Sequence, residues 1–223
     1  MPKSPRIDIA NYIYHVINRS NAKAKIFKSK KDFQAFEKVL TEAKEKFDMR
    51  ILVYCIMSNH WHLVLKPKKD GDLARFIGWL TLTHTQRWHV FHESVGEGHL
   101  YQGRYKSFIV QKEEHFLQLC RYVEQNALRA GMVKKAQNWP WSSLYRRKYG
   151  TDKEKKILSN WPTGVPNNYL KWVNTKIKNK ETEAIKYSIT RGKPYGDELW
   201  TNRIIKRLGL ETTTRQRGRP KTK

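Results

Sequence analysis

The stretch Ser58-Asn59-His60-Trp61-His62-Leu63-Val64-Leu65 constrains the fold more than any other part of the chain. It alternates as a β-strand does, with side chains two apart on the same face. His60 and His62 therefore stand side by side, while Trp61, Leu63 and Leu65 pack on the opposite face. Two neighbouring imidazoles on a rigid strand form half of a site for a divalent metal. The same spacing also suits a purely structural pair, with one ring hydrogen-bonded and the other exposed.

Charge narrows the choice of partner. Lys and Arg number 45 against 20 acidic residues, a formal net charge of +25. That excess favours a polyanion, whose neutralised phosphates release counterions on binding. An anionic membrane surface is the competing partner, but no apolar run is long enough to span a bilayer and no basic amphipathic helix stands alone. The 223 residues suffice for one good core and a smaller appendage, and 12% aromatic content argues for a folded chain. No apolar signal-peptide core follows the first residues, and Cys55 and Cys120 fall in predicted buried elements without metal-binding spacing. Reduced structural thiols and a cytoplasmic, nucleoid-associated location are the expectation.

The pattern predicts a strand over 11–18, a helix over 31–47 and strands over 50–57 and 60–66. A helix capped by Asp72 then runs to about His92. A loop follows, then a strand over 104–110 and a third helix over 113–130, stopped by Gly131. The order β-α-β-β-α-β plus a helix predicts an α+β fold: a ferredoxin-like antiparallel sheet with helices packed on one face. Composition changes near the end of this unit. Residues 1–148 read as the main domain, and 149–223 as a small, basic, helical segment with a tail, suited by charge to binding DNA.

The third helix carries the second informative group. Tyr122 and Asn126 are four apart and share one helical face, Gln118 extends that stripe, and Phe116, Leu119, Cys120, Val123 and Ala127 form the core-facing side. Neutral imidazoles suit Mn²⁺, and with an amide oxygen they also hold Mg²⁺. Such a metal would spread the charge that develops on a scissile phosphate. Tyr122 is then the candidate nucleophile, forming a covalent phosphotyrosine that keeps the phosphodiester's energy and so permits strand transfer.

These residues resemble a known family. His60-Trp61-His62 is similar to the His-hydrophobic-His motif of HUH single-strand endonucleases, and Tyr122-Val123-Glu124-Gln125-Asn126 to the helix of their single-tyrosine transposase branch. Tyr14-His15-Val16-Ile17-Asn18-Arg19, Tyr101-Gln102-Gly103-Arg104-Tyr105, Trp141-Ser142-Ser143 and the tail motifs Arg191-Gly192-Lys193-Pro194-Tyr195-Gly196 and Arg217-Gly218-Arg219-Pro220-Lys221 resemble the REP-associated tyrosine transposases within it. The resemblance implies a Mg²⁺ or Mn²⁺ held by His60, His62 and Asn126. It further implies Tyr122 as the nucleophile that leaves a 5′-phosphotyrosine and a free 3′-hydroxyl. The implied partners are single-stranded DNA and hairpins of repeated palindromic elements. Where the family often has Asn-Pro, this chain has Asn126-Ala127, which predicts that the helix runs on.

Other readings stay open. Tyr101 and Tyr105 are rival nucleophiles without an amide partner one turn on, and Asn126 also reads as a helix-terminal amide. His84, His89, His92, His99 and His115 read as packing or surface residues, and His15 lies near enough on the first strand to approach the site. Arg104, Lys106 and Arg121 are candidate DNA contacts, as are Arg217, Arg219 and Lys221 in a tail that resembles a minor-groove arm. One or two of Trp139, Trp141, Trp161, Trp172 and Trp200 are candidates for stacking on unpaired bases. The rival functions are a hairpin-binding protein without chemistry and a metal-dependent nuclease that uses water. With one catalytic tyrosine per chain, cutting and rejoining needs either a homodimer or a monomer that uses its site twice.

Overall fold

Strand β3 (His60–Lys66) lies inside the sheet, and its two neighbours determine which way every side chain of the motif faces. In the computed structural model, which describes residues 7–215, β3 pairs antiparallel with β2 (Arg50–Met57) and with β1 (Ile13–Arg19). β1 in turn pairs with β4 (Lys106–Val110), so the order across the sheet is β2-β3-β1-β4. That is the order of the expected ferredoxin-like unit.

The two crossover helices, α1 (Lys30–Phe47) and α2 (Asp72–Phe91), cover one face. Phe36, Leu40, Phe76 and Leu80 meet Tyr14, Tyr54, Trp61, Leu63 and Leu65 there in one buried cluster. α1 begins with a capping box, in which Ser29 and Asp32 satisfy each other's backbone N–H groups. α2 departs from expectation at its start. Asp72 is its first residue, behind Gly71 at φ 80°, and the first-turn N–H groups of Leu73 and Ala74 donate to Asp8 at 3.0 and 2.7 Å. A distant carboxylate thus caps the helix, which local sequence does not reveal.

The expectation that all helices share one face is corrected. α3 (Glu114–Glu124) packs on the opposite face, where Phe116, Leu119, Cys120 and Val123 join Val53, Cys55, Val64 and Phe108. Both faces of β2 are apolar, and Val64 and Phe108 extend the second apolar face across β3 and β4, so that face also requires cover and α3 supplies it. The third helix is also shorter than expected: it breaks at Gln125 (φ −81°, ψ −3°) before α4 (Asn126–Arg129). No proline is needed for this break. Asn126 Nδ2 donates to the carbonyl of Val123 at 3.0 Å, competing with the helical ladder, while Gln125 Nε2 is drawn to the carbonyl of Thr175 at 2.6 Å. Gly131, at φ 69°, then ends the segment as expected.

The chain continues through α5 (Ser143–Tyr149), α6 (Asp152–Lys155), α7 (Tyr169–Val173), α8 (Asn179–Arg191) and α9 (Glu198–Leu208). The change at residue 148 is one of composition, and packing continues across it. Tyr169, Val173, Ile177 and Ile185 enter the core beneath α3, and Ile204 and Ile205 enter the other. The returning chain also covers the edge of β2, with Ile56 N–H donating to Trp141 O and Ser159 N–H to Ile51 O. Cys55 and Cys120 are buried and free, as expected of reduced thiols. Among the described residues no helix is long and apolar enough to cross a membrane.

α5 is tied to α1 by a buried ion pair. Arg146 Nη2 donates to Glu37 Oε2 at 2.5 Å, Tyr54 donates to Glu37 Oε1 at 2.7 Å, and the Arg146 side chain is only 13% exposed. Arg146→Ala leaves Glu37 charged without its partner, so a loss of about 3 to 5 kcal/mol is expected in urea unfolding. Lys68→Ala removes only a surface pair with Asp48, and a change of less than about 1 kcal/mol is expected.

Candidate active site

On the α3 side of the sheet the alternation of the strands builds a short polar row. His62 lies opposite Ile17 on β1 and Cys55 on β2, and His60 lies opposite Arg19 and Met57. Their rings are 5.1 Å apart between centroids. The Tyr122 ring meets His62 edge to face at 6.2 Å, so the helix and the strand bring the two sequence motifs together. They meet under a helix that lies across the sheet, rather than along its edge.

Hydrogen bonds set the imidazoles. His60 Nδ1 lies 2.7 Å from Asn59 Oδ1, which makes Nδ1 the protonated nitrogen and leaves Nε2 with its lone pair. His62 Nδ1 lies 2.8 Å from Nε2 of His15, which is fully buried against Phe108. When His62 holds the shared proton, its Nε2 also keeps a lone pair. Burial, with help from Arg19 and Arg129, lowers His60 to about 4. Burial and the neighbouring His15 and His60 hold His62 well below its ordinary value, and burial lowers His15 to about 3. The row is therefore neutral at pH 7, the state in which imidazole binds metal.

Tyr122 is 5% exposed, and its hydroxyl has no hydrogen-bond partner among the described residues. One turn on, Asn126 Oδ1 accepts from Arg129 at 2.7 Å, and the same guanidinium lies over the Tyr122 ring at 3.9 Å. Sequence reading missed Arg129. Its signal was there: Tyr122, Asn126 and Arg129 are spaced i, i+4 and i+7, one stripe of a helix. Arg19 was quoted only as part of a motif, yet it stands directly opposite His60.

Among the described residues no group of three or more His, Cys, Asp or Glu is arranged to hold a metal ion. A cation at the His60–His62 pair needs its third protein donor from another residue type. Asn126, one turn beyond Tyr122, is an amide whose carbonyl oxygen keeps a second lone pair beside its bond to Arg129, and imidazole nitrogen with amide oxygen is donor chemistry that Mn²⁺ and Mg²⁺ accept.

The other candidates separate clearly. Lys106 lies opposite Ile17, in the same cross-strand row as His62 and two strands away, and Arg104 is exposed just before β4, which begins two residues later than expected. Arg121 is corrected: it is 4% exposed, its Nη2 donates to Thr175 O and Lys176 O, and it stacks on Trp172. It fastens the segment before α8 and has no face left for a phosphate. Arg217, Arg219 and Lys221 lie outside the described residues. Tyr101 is on the wrong side of the sheet, accepting from Trp61 Nε1 and bonded to His84. Trp139 and Trp141 are also spoken for, the first donating to Ile56 O and the second stacked on Phe33.

α3 is held rigidly over this row. Glu124 is fully buried and accepts from Ser143 Oγ and Tyr169 Oη, each at 2.6 Å. Burial raises its carboxyl above the ordinary range, against the pull of Arg147 and those two hydroxyls.

A sequence profile described as "Transposase IS200 like" matches residues 8–126, more than half of the chain's 223. The chain belongs to the IS200-like transposase family. It is 21% identical over 119 residues to a Haemophilus influenzae protein named as a REP-associated tyrosine transposase, covering 50% of this chain and 68% of that one. A solved structure of a REP-associated tyrosine transposase bound to a REP hairpin aligns with a TM-score of 0.55 at 15% identity, over 80% of this chain and 100% of that one. At that identity the likeness speaks for the fold, including the parts beyond residue 126.

The buried neutral histidines make this transposase acid-sensitive. His15, His60 and His84 ionise at about 3, 4 and 3 when folded, against 6.5 when exposed. The unfolded chain takes up those protons first, so stability is expected to fall from about pH 6.5 to about pH 3. Urea unfolding across that range checks it, and His84→Gln is expected to flatten the slope.

Proposed function

We propose that this transposase nicks and rejoins single-stranded DNA beside hairpins of repeated palindromic elements, using Tyr122 as nucleophile. One observation carries the reading: the Tyr122 ring lies against His62 while Arg129 holds both that ring and the Asn126 amide. The Tyr122 hydroxyl attacks the scissile phosphorus and the bond to the 3′ oxygen breaks. A 5′-phosphotyrosine and a free 3′-hydroxyl result, the phenolic proton leaving to solvent and the departing oxygen gaining one. Attack by a 3′-hydroxyl on the phosphotyrosine runs the step backwards and joins strands.

His60 Nε2, His62 Nε2 and Asn126 Oδ1 would hold Mg²⁺ or Mn²⁺, which supplies Lewis-acid stabilisation of the charge on phosphate. Arg129 keeps the tyrosine ring in one orientation, which shortens the search for in-line attack. Lys106 and Arg104 line the approach from β4 and suit a phosphate backbone. His15 orients His62 by accepting its Nδ1 proton, the outer-shell role that fixes which nitrogen faces a metal. Likeness to a REP-associated tyrosine transposase and to one solved with a REP hairpin supports the choice of hairpin substrates.

Hairpin DNA with single-stranded flanks, incubated with protein and Mn²⁺, tests the reading on denaturing gels. Wild type is expected to give a covalent adduct that Tyr122→Phe and His62→Ala abolish. Cleavage that survives Tyr122→Phe without adduct would mean a water nucleophile, and tight binding without cleavage a hairpin-binding protein. In the DNA-free protein, His15→Leu is expected to weaken Mn²⁺ binding by about 10- to 100-fold in titration calorimetry. His15→Gln, which keeps an acceptor at the same reach, should recover part of that loss.

A further inference from the structure

At the far end of the sheet from His60, a groove of about 590 Å³ is lined by Lys44, Arg50, Lys66, Lys68, Lys112 and Trp161. Arg50 and Lys66 are directly opposed on β2 and β3, an arrangement of like charges that costs stability in a sheet. Among the described residues no carboxylate pairs with Arg50, Lys66 or Lys112. Asp48, the only acidic side chain among the described residues that line the groove, is already bound to Lys68. Burial, and then Lys112 and Arg50, depress the Lys66 ammonium below its ordinary value, as expected of cations crowded without a counterion. An uncompensated cluster of this kind persists where a polyanion relieves it.

The groove's aromatic wall says which polyanion. Single-strand binders need a free aromatic platform for bases. Trp161 offers none: its Nε1 donates to Leu52 O at 3.0 Å, its ring meets Phe116 and Tyr169 edge to face, and Arg147 lies over it at 5.2 Å. What remains is charge spread over the end of α1, the ends of β2 and β3 and the residues after β4, which suits a backbone rather than bases.

We propose that this groove is a second DNA site that grips the phosphates of a double-stranded stem whose unpaired flank lies at Tyr122. The inference rests on the proposed substrate. β3 rises about 3.3 Å per residue, so Lys66 stands roughly 20 Å from His60, a span of about six base pairs at 3.4 Å each. Stems shorter than that fall short of the groove.

The test measures the affinity of the full chain for hairpins with stems of about 4 to 12 base pairs, across a salt series, beside a variant combining Arg50→Gln, Lys66→Gln and Lys112→Gln. A control variant removes equal charge on α8 and just before it, by Lys178→Gln, Lys180→Gln and Lys186→Gln. For stems above about six base pairs, the groove variant is expected to bind at least about tenfold more weakly, with a salt slope reduced by about 3. For the shortest stems it should match wild type, and without DNA it should melt at or above the wild-type temperature, because a repulsion has been removed. Adduct formation on an unpaired strand should be unchanged, which separates failure of the groove from failure of the tyrosine chemistry. Equal losses in the two variants would mean a bulk charge effect and overturn the proposal, as would the absence of any dependence on stem length.

Discussion

Everything in this molecule depends on the register of β3. A strand has two faces, and a slip of one residue exchanges them. Here Trp61 belongs among Phe36, Tyr54 and Leu63, with its indole N–H on Tyr101, and it is fully buried. A slipped strand would put that indole on the α3 side and carry the two imidazoles into the apolar core beneath α1 and α2. The turn at Ser58 and Asn59 pins the register, since Ser58 O accepts from Ile26 and Phe27 and Asn59 O from Ser20. The apolar half of the motif thus positions the polar half.

The second layer gives the histidine row its chemistry. Without α3 the row would be an open polar stripe in water, and its rings would titrate as ordinary histidines. Beneath the helix they are desolvated and stay neutral, and Tyr122 is brought against them. Holding a helix there demands polar ties as well as apolar contact. Glu124 receives Ser143 and Tyr169, Gln125 reaches the carbonyl of Thr175, and Arg121 fastens the segment that follows α7. The residues between Tyr122 and Asn126 serve to fix those two in place.

The large positive charge divides into used and unused parts. Arg121 and Arg146 are consumed inside the fold by carbonyls and carboxylates. Arg19 and Lys106 stand by the histidine row, and Arg50, Lys66 and Lys112 crowd the other end of the sheet without acidic partners. Net charge alone points to a polyanion, and only the location of the unpaired cations says where one could lie.

The sequence by itself determined the order of elements, the strand faces and the two motifs, because periods of 2 and 3.6 residues are local properties. β2 and β3 match their predicted limits, and α1 and α2 come within a residue of theirs. Tertiary structure decided what depends on distant partners. Asp8 caps α2 across the sequence, α3 takes the second face of the sheet, Asn126 and Gln125 break its helix, and Arg121 is buried where a DNA contact was expected. His15 and Arg129 join the site differently. Arg129 shares the local helical stripe of Tyr122 and Asn126, and folding lays its guanidinium over the ring, whereas His15 reaches His62 by a contact across 47 residues, which leaves no local period to read.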